Sequence, residues 1–150
     1  MTKIFPNARD YKTINVKIEK ESRLAIEKIS GSELLPGQRE SFQYFDMLDD
    51  KGKRIGTVIA ASQRGEYGAI EFVVGFDTLD IINGLYIQRS REKNVTFKER
   101  SFLDQFIGKP VIQVSTFDKL YKGNRSIGSD AVIRGLKKEF ASYNELVSKQ

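Results

Sequence analysis

The residues best suited to chemistry fall in one turn, Gly123-Asn124-Arg125-Ser126-Ile127-Gly128-Ser129-Asp130-Ala131-Val132. Beyond it the apolar residues Val132, Leu136, Phe140, Tyr143 and Val147 recur at steps of four, four, three and four, which predicts an amphipathic helix over 128–148. The turn is therefore that helix's N-terminal cap. Ser126, Ser129 and Asp130 can accept hydrogen bonds from the first free N–H groups. Those N–H groups, the positive end of the helix dipole and nearby Arg125 together suit an anion such as a phosphate. An ordinary capping turn uses the same residues, so the turn alone does not choose between the two.

Composition removes most other chemistry. The 150 residues contain no Cys and no His, which excludes thiol and imidazole catalysis, disulfides, most zinc sites and every Ser-His or Cys-His nucleophile. Lys and Arg number 25 against 20 Asp and Glu, a formal charge of +5 with an isoelectric point near 9.4. That balance favours anionic ligands without specifying one. An apolar content of 39% fits a globular fold with a real core, expected here as a single domain over 1–150. No stretch approaches the roughly 20 apolar residues that span a bilayer, and Met1-Thr2-Lys3 leads into domain-like sequence without a signal-peptide core.

The elements that must position the turn follow from periodicity. A polar strand is predicted over 13–19, then a helix over 21–29 with Leu24, Ile26 and Ile29 apolar, ended by Gly31 and Pro36-Gly37. Strands over 43–48 and 54–62 flank Asp49-Asp50-Lys51-Gly52, a hairpin composition. The run 69–75 is apolar on both faces and should be the most buried strand, and 81–89 alternates as a fourth in this series. A short helix over 101–106, an extended segment over 111–114 and the closing helix complete the chain. The expected class is α+β: a largely antiparallel, twisted sheet with helices packed on it and a long C-terminal helix.

Several stretches resemble the FMN-binding domain family, found in flavin-carrying subunits of the sodium-translocating NADH:quinone reductase and the Rnf-type electron-transport complexes. The turn resembles that family's S-G-A-T-x-S-S-x-A-V signature. Gly65-Glu66-Tyr67-Gly68, the run 69–77 with its Val74-Gly75-Phe76-Asp77 corner, Arg91-Glu92, and Phe102-Leu103-Asp104-Gln105-Phe106-Ile107-Gly108-Lys109 resemble its glycine turn, buried strand with "VGxD" corner, R-E turn and "FLxQFxGK" helix. Order and spacing match from about residue 43 to residue 143, and Ile4-Phe5-Pro6-Asn7-Ala8 resembles the family's lead-in.

The resemblance implies FMN as cofactor, with its phosphate at Asn124, Arg125, Ser126, Ile127, Gly128 and Ser129, and its ring near Gly65, Tyr67, Gly68 and Glu92. It implies redox partners in a membrane complex, a flavin transferase, and an extracytoplasmic location with an anchor or signal that this chain does not carry, as in a trimmed form of a longer protein. A cytoplasmic location stays open.

Departures from the family pattern fall where the cofactor would be attached. The family's signature threonine, which carries FMN through a phosphoester, is Ser126 here, and Asn124-Arg125 replace Gly-Ala before it. Leu120 stands where the family has an acid, the nearest acid being Asp118. Gly128 leaves one of two phosphate-side hydroxyls missing, and Glu92-Lys93-Asn94-Val95-Thr96-Phe97 lacks the family's proline and glycines, with Phe97 or Val95 left to wall the ring. Non-covalent flavin is the expectation, with Glu92 an exposed rim carboxylate.

The basic run Arg89, Arg91, Lys93, Lys98 and Arg100 also reads as a solvated turn, and Gly65 and Gly68 as hairpin glycines with positive φ. Two other functions stay open: a flavin-free binding or assembly module, and a single-stranded nucleic-acid binder using basic residues interleaved with Tyr86, Phe97 and Tyr121. Nucleic acid is the least favoured partner, because +5 over 150 residues is modest.

Overall fold

Five strands form one antiparallel sheet in simple meander order, β1 (Asp10–Lys17), β2 (Ser41–Leu48), β3 (Arg54–Arg64), β4 (Ala69–Asp77) and β5 (Ile82–Arg89). A computed structural model describes residues 3–31, 33–116 and 125–148. Helix α1 (Lys20–Ser30) follows β1, the one-turn helix α2 (Arg100–Leu103) follows β5, and α3 (Ile127–Tyr143) runs on into a π-helical turn, Asn144–Ser148. The class is α+β, as the periodicity predicts.

The sheet is covered on both faces. On one, Phe72, Val74 and Phe76 of β4 meet Val132, Leu136 and Phe140 of α3 in the main core. On the other, Val58 and Val73 pack with Phe5 and Met47, so the N-terminal segment lies across the back of the sheet. This double cover is why β4 is apolar on both faces. The segment can lie so close because Gly56, Gly75 and Gly84 present bare backbone there: a Cβ at Gly75 would stand 2.5 Å from Ile4, and one at Gly56 would collide with the Phe5 ring.

The family-like corner Val74-Gly75-Phe76-Asp77 has a mechanical role. Asp77 Oδ1 accepts hydrogen bonds from the N–H groups of Leu79 at 2.9 Å and Ile81 at 3.0 Å, folding β4 back into β5. Phe102, Leu103 and Phe106 of the next motif are buried in the main core, and Gly108 takes a φ of 86°. These motif residues act in folding before they act in anything else.

Two expectations change. Residues 111–114 are not extended but part of a 3-10 stretch, Val111–Thr116. Around the Ile81–Pro110 bridge the chain exchanges backbone hydrogen bonds with residues 80–82, Gly108 N–H to Ile82, Ile82 N–H to Lys109 and Val111 N–H to Asp80, and beyond Val111 it coils into the 3-10 turn. In α1 only Ile26 of the expected apolar face is buried, while Leu24 and Ile29 stay exposed, because α1 meets α3 along a single stripe. Strand β1 begins at Asp10, three residues before its predicted start; as a polar, largely exposed edge strand it carries little alternation to mark its bounds.

Helix α3 is buried nearly all round. Gly135 lets it approach the sheet so closely that a Cβ would meet the Phe72 ring at 2.7 Å. Lys138, fully buried, donates to Gln63 Oε1 at 2.5 Å and to the Ser62 carbonyl at 3.2 Å, tying the helix to the end of β3. Burial pulls the Lys138 ammonium below its ordinary pKa. Its neighbour Glu139 is buried too, and desolvation pushes its carboxyl up to about 7, partly offset by Lys138.

A carboxyl raised in the folded state is protonated there when the unfolded chain has already released the proton. Its stabilising contribution is full below about 4.5 and is lost as pH rises through about 7. Glu139→Gln should therefore leave stability nearly unchanged at pH 4.5 and raise it at pH 8, by up to about 3 kcal/mol, in denaturant titrations at the two pH values.

Candidate functional site

At the start of α3 the serines form a reciprocal cap. Ser126 has extended φ and ψ of −135° and 167°, and its Oγ accepts from the Ser129 N–H at 3.1 Å. Ser129 Oγ accepts in turn from the Ser126 N–H at 2.8 Å and lies 3.0 Å from the Ser126 carbonyl, to which its hydroxyl donates. The Ser129 hydroxyl is thus engaged within the cap, and the residue is 2% exposed. Its expected role as a phosphate-side hydroxyl is not what this geometry offers. Ser126 keeps its own hydroxyl proton to donate, and the N–H groups of Ile127 and Gly128 belong to the first turn, where a helix supplies no acceptor.

Phe97 explains the glycine at 128. Its ring is fully buried beneath the helix end, where a Cβ at Gly128 would stand 2.6 Å from ring carbon Cε1. Phe97 is therefore core packing, and Val95, about half exposed, is the apolar residue of that loop left facing outward.

Glu92 is not the exposed rim carboxylate that sequence suggests. It is 8% exposed, and its two oxygens accept from the N–H groups of Glu66 at 2.6 Å and Tyr67 at 2.7 Å. The carboxylate thereby holds the β3–β4 turn, which also closes through the Gly65 N–H to the Gly68 carbonyl at 2.8 Å. Gly65 is required by this tether and not by its φ: a Cβ there would stand 2.5 Å from Glu92 Oε1. Of the two glycines only Gly68 has positive φ, 126°. Tyr67, 45% exposed, projects from the turn with Lys93 Nζ 5.1 Å from its ring centroid, a cation–π contact.

These elements converge on a cleft of about 250 Å³ lined by Glu66, Glu92, Lys93, Asn94, Arg125, Ser126, Ile127 and Gly128. The turn after β5 and the N-terminus of α3, far apart in sequence, meet there. Gly65, Tyr67 and Gly68 belong to the adjoining turn and do not line it. Arg125 reaches Asp130 at 3.3 Å, so its charge is partly offset within the helix's own first turn. The rest of the basic run disperses: Arg89 pairs with Glu71 at 3.8 Å, and Arg100 binds Asp104 and the Leu85 carbonyl. Asn124, Leu120, Asp118 and Tyr121 lie outside the described residues.

The sequence reading missed Glu66 as a cleft residue, and nothing in its local pattern marks it. The signal for Glu92 was the resemblance of Arg91-Glu92 to the family's R-E turn, within a basic run that reads as easily for a solvated turn.

Comparison with known proteins places this arrangement on a known backbone. No family model matches the sequence, and no curated protein does. The crystal structure of Shewanella oneidensis NqrC superposes with a TM-score of 0.52 over 97% of this chain and 82% of that one, at 14% identity. The two share a fold. At that identity the likeness to NqrC concerns the backbone, and the cleft residues must be argued from their own chemistry.

The Glu92 tether yields a measurable consequence. Glu92→Ala removes two charge-assisted hydrogen bonds and should lower stability by about 2–3 kcal/mol in denaturant unfolding, with faster hydrogen exchange at Glu66 and Tyr67. Glu92→Gln, which keeps one acceptor oxygen, should lose roughly half as much.

Proposed function

We propose that this chain is an FMN-binding electron-transfer domain, with the phosphate held non-covalently at the N-terminus of α3. The observation that carries the proposal is the convergence of the Ile127 and Gly128 N–H groups, the Ser126 hydroxyl and Lys93 on one cleft. Two backbone donors, a hydroxyl and an ammonium at a helix N-terminus are the chemistry a phosphate monoester needs. The motif resemblance to the FMN-binding domain family, carried by residues, and the likeness to NqrC, carried by the backbone, point the same way.

The cleft fits the phosphate end better than a whole flavin. Its volume is just under the roughly 300–1,000 Å³ of pockets that enclose a drug-sized ligand, so the ring would lie largely outside it. Tyr67 and Val95, both about half exposed, are the surfaces beside the cleft against which a ring would rest. When bound, the flavin supplies the redox chemistry; the protein supplies placement and charge compensation. Lys93 offsets the phosphate's charge, and the Glu92 tether fixes the turn that carries Tyr67. On this reading the partners are redox proteins of a membrane complex and the setting is extracytoplasmic.

A second reading, a flavin-free binding or assembly module, is favoured by one observation: Glu66 and Glu92 line the same cleft, and Arg125 is paired with Asp130. Carboxylates beside a phosphate cost affinity.

Titration separates the two. FMN should bind at least about tenfold tighter than riboflavin, the difference expected from one or two charge-assisted hydrogen bonds. Ser126→Ala should erase most of that preference while costing about 1 kcal/mol of stability through the lost cap. Equal affinities would remove the phosphate site, and binding of neither flavin would favour the module. Flavin fluorescence that stays with the denatured wild-type chain after expression beside a flavin transferase, and is lost in Ser126→Ala, would show a phosphoester instead.

A further inference from the structure

A second cleft lies further along α3, eleven residues or ~16 Å from the first at 1.5 Å per residue. It sits between the C-terminal half of α3, strands β1 to β3 and the turn before β2, and encloses about 290 Å³, the share of roughly ten water molecules. Its polar lining comes from Glu139, Ser142, Asn15, Gln38, Ser41 and Gln43. Nothing in the proposed flavin site uses these residues.

Glu139 is the anomaly. It is 6% exposed, its carboxylate opens to the cleft, and among the described residues no hydrogen bond or ion pair reaches it. The adjacent cation, Lys138, is engaged by the Ser62 carbonyl, which it shares with Gln38, and by Gln63, and is not hydrogen-bonded to Glu139. A buried carboxylate without a partner is costly, and such groups are normally paired or hydrogen-bonded.

Two of the neighbouring side chains keep acceptors available. Gln43 Nε2 donates to Asn15 Oδ1 at 3.2 Å, which leaves the Gln43 carbonyl oxygen to accept. Ser142 Oγ, one turn from Glu139, donates to the Lys138 carbonyl at 2.9 Å, which leaves its lone pairs. Gln38 is engaged through both ends of its amide, by the Leu35 N–H and the Ser62 carbonyl.

We propose that this cleft binds a small organic cation bearing a primary ammonium group, which sits against Glu139 and donates to Gln43 and Ser142. An ammonium has three donors, no acceptor and one charge, matching one carboxylate and two neutral acceptors. A divalent metal matches poorly, since the described residues hold no group of three or more His, Cys, Asp or Glu and Glu139 is the cleft's one carboxylate. Lys17 and Arg39 line the adjoining hollow at the mouth, with Glu40. Lys17 lies 3.8 Å from Glu19, and Arg39 donates to the Leu34 carbonyl, so neither fills the position beside Glu139.

Propylammonium chloride is a suitable probe, compared at constant ionic strength and pH 8 with 1-propanol, which lacks the charge, and tetramethylammonium, which lacks the donors. Propylammonium alone should raise the melting temperature saturably, and Glu139→Gln should weaken that response at least tenfold while remaining folded. Equal responses in wild type and Glu139→Gln, equal responses to propylammonium and tetramethylammonium, or none to propylammonium would overturn the proposal.

A wild-type measurement guards against a variant that misfolds. The charge acting on Glu139 is that of Lys138 on its own helix, itself beside Arg134, while Lys17 on β1 and Arg39 and Glu40 before β2 line the adjoining hollow. Carbon-detected NMR of the Glu139 carboxyl should show its titration midpoint falling below about 7 when propylammonium is saturating. A midpoint unmoved by the amine would refute the site.

Discussion

Everything in this molecule depends on how closely α3 lies against the sheet. Gly135 brings helix backbone onto the Phe72 ring, Gly128 brings its first turn onto Phe97, and Lys138 reaches across to the Ser62 carbonyl and Gln63. A helix held at that distance cannot slide or roll without breaking an aromatic contact or stranding a buried ammonium. Its N-terminus is therefore fixed beside the turn after β5, and the cleft at Ser126 depends on contacts at Gly135 and Lys138, nine and twelve residues further along the helix. Phe140 and Tyr143 complete the lock by meeting Phe76, at ring-centroid separations of 5.9 and 4.8 Å.

The same closeness forces polar groups into the interior. A helix exposed on one side can turn its charges to water, but α3 is enclosed by the sheet, by α1 and by the turns before it. Lys138 finds carbonyl partners at the end of β3; Glu139 finds none among the described residues. The two adjacent charges illustrate opposite outcomes of one constraint. The ammonium has become a structural tie, and the carboxylate has become a group whose charge state is poised near neutrality.

Much of the architecture was legible because strand alternation and helix periodicity are local. The hairpin of β2 and β3, the doubly buried β4 and the long closing helix all announce themselves within ten or twenty residues. The misreadings came where the deciding partner is remote. Residues 111–114 looked like a strand because Val111 and Ile112 are β-formers, but the pairing with residues 80–82 ends at the Val111 N–H and the chain coils into a 3-10 turn. Glu92 looked like an exposed acid because the N–H groups it accepts from lie 26 and 25 residues earlier in the chain.

The candidate site shows the same division. Ser126 as N-cap was readable from S-x-x-S and the helix that follows, whereas the engagement of Ser129 depends on its rotamer, which sequence does not specify. The glycines at 65 and 128 both read as conformational or phosphate-facing residues. Each is also a clearance, one for a carboxylate oxygen and one for a phenyl ring. A family-like motif can thus survive as a packing requirement while its chemistry changes, since Glu92 and Phe97 demand those glycines whether or not a phosphate is bound. The donors that line the cleft for an anion are two backbone N–H groups, one hydroxyl and Lys93, whose ammonium also rests over the Tyr67 ring. On the reading proposed above, affinity at this helix end would be set by these donors, with Arg125 already engaged by Asp130.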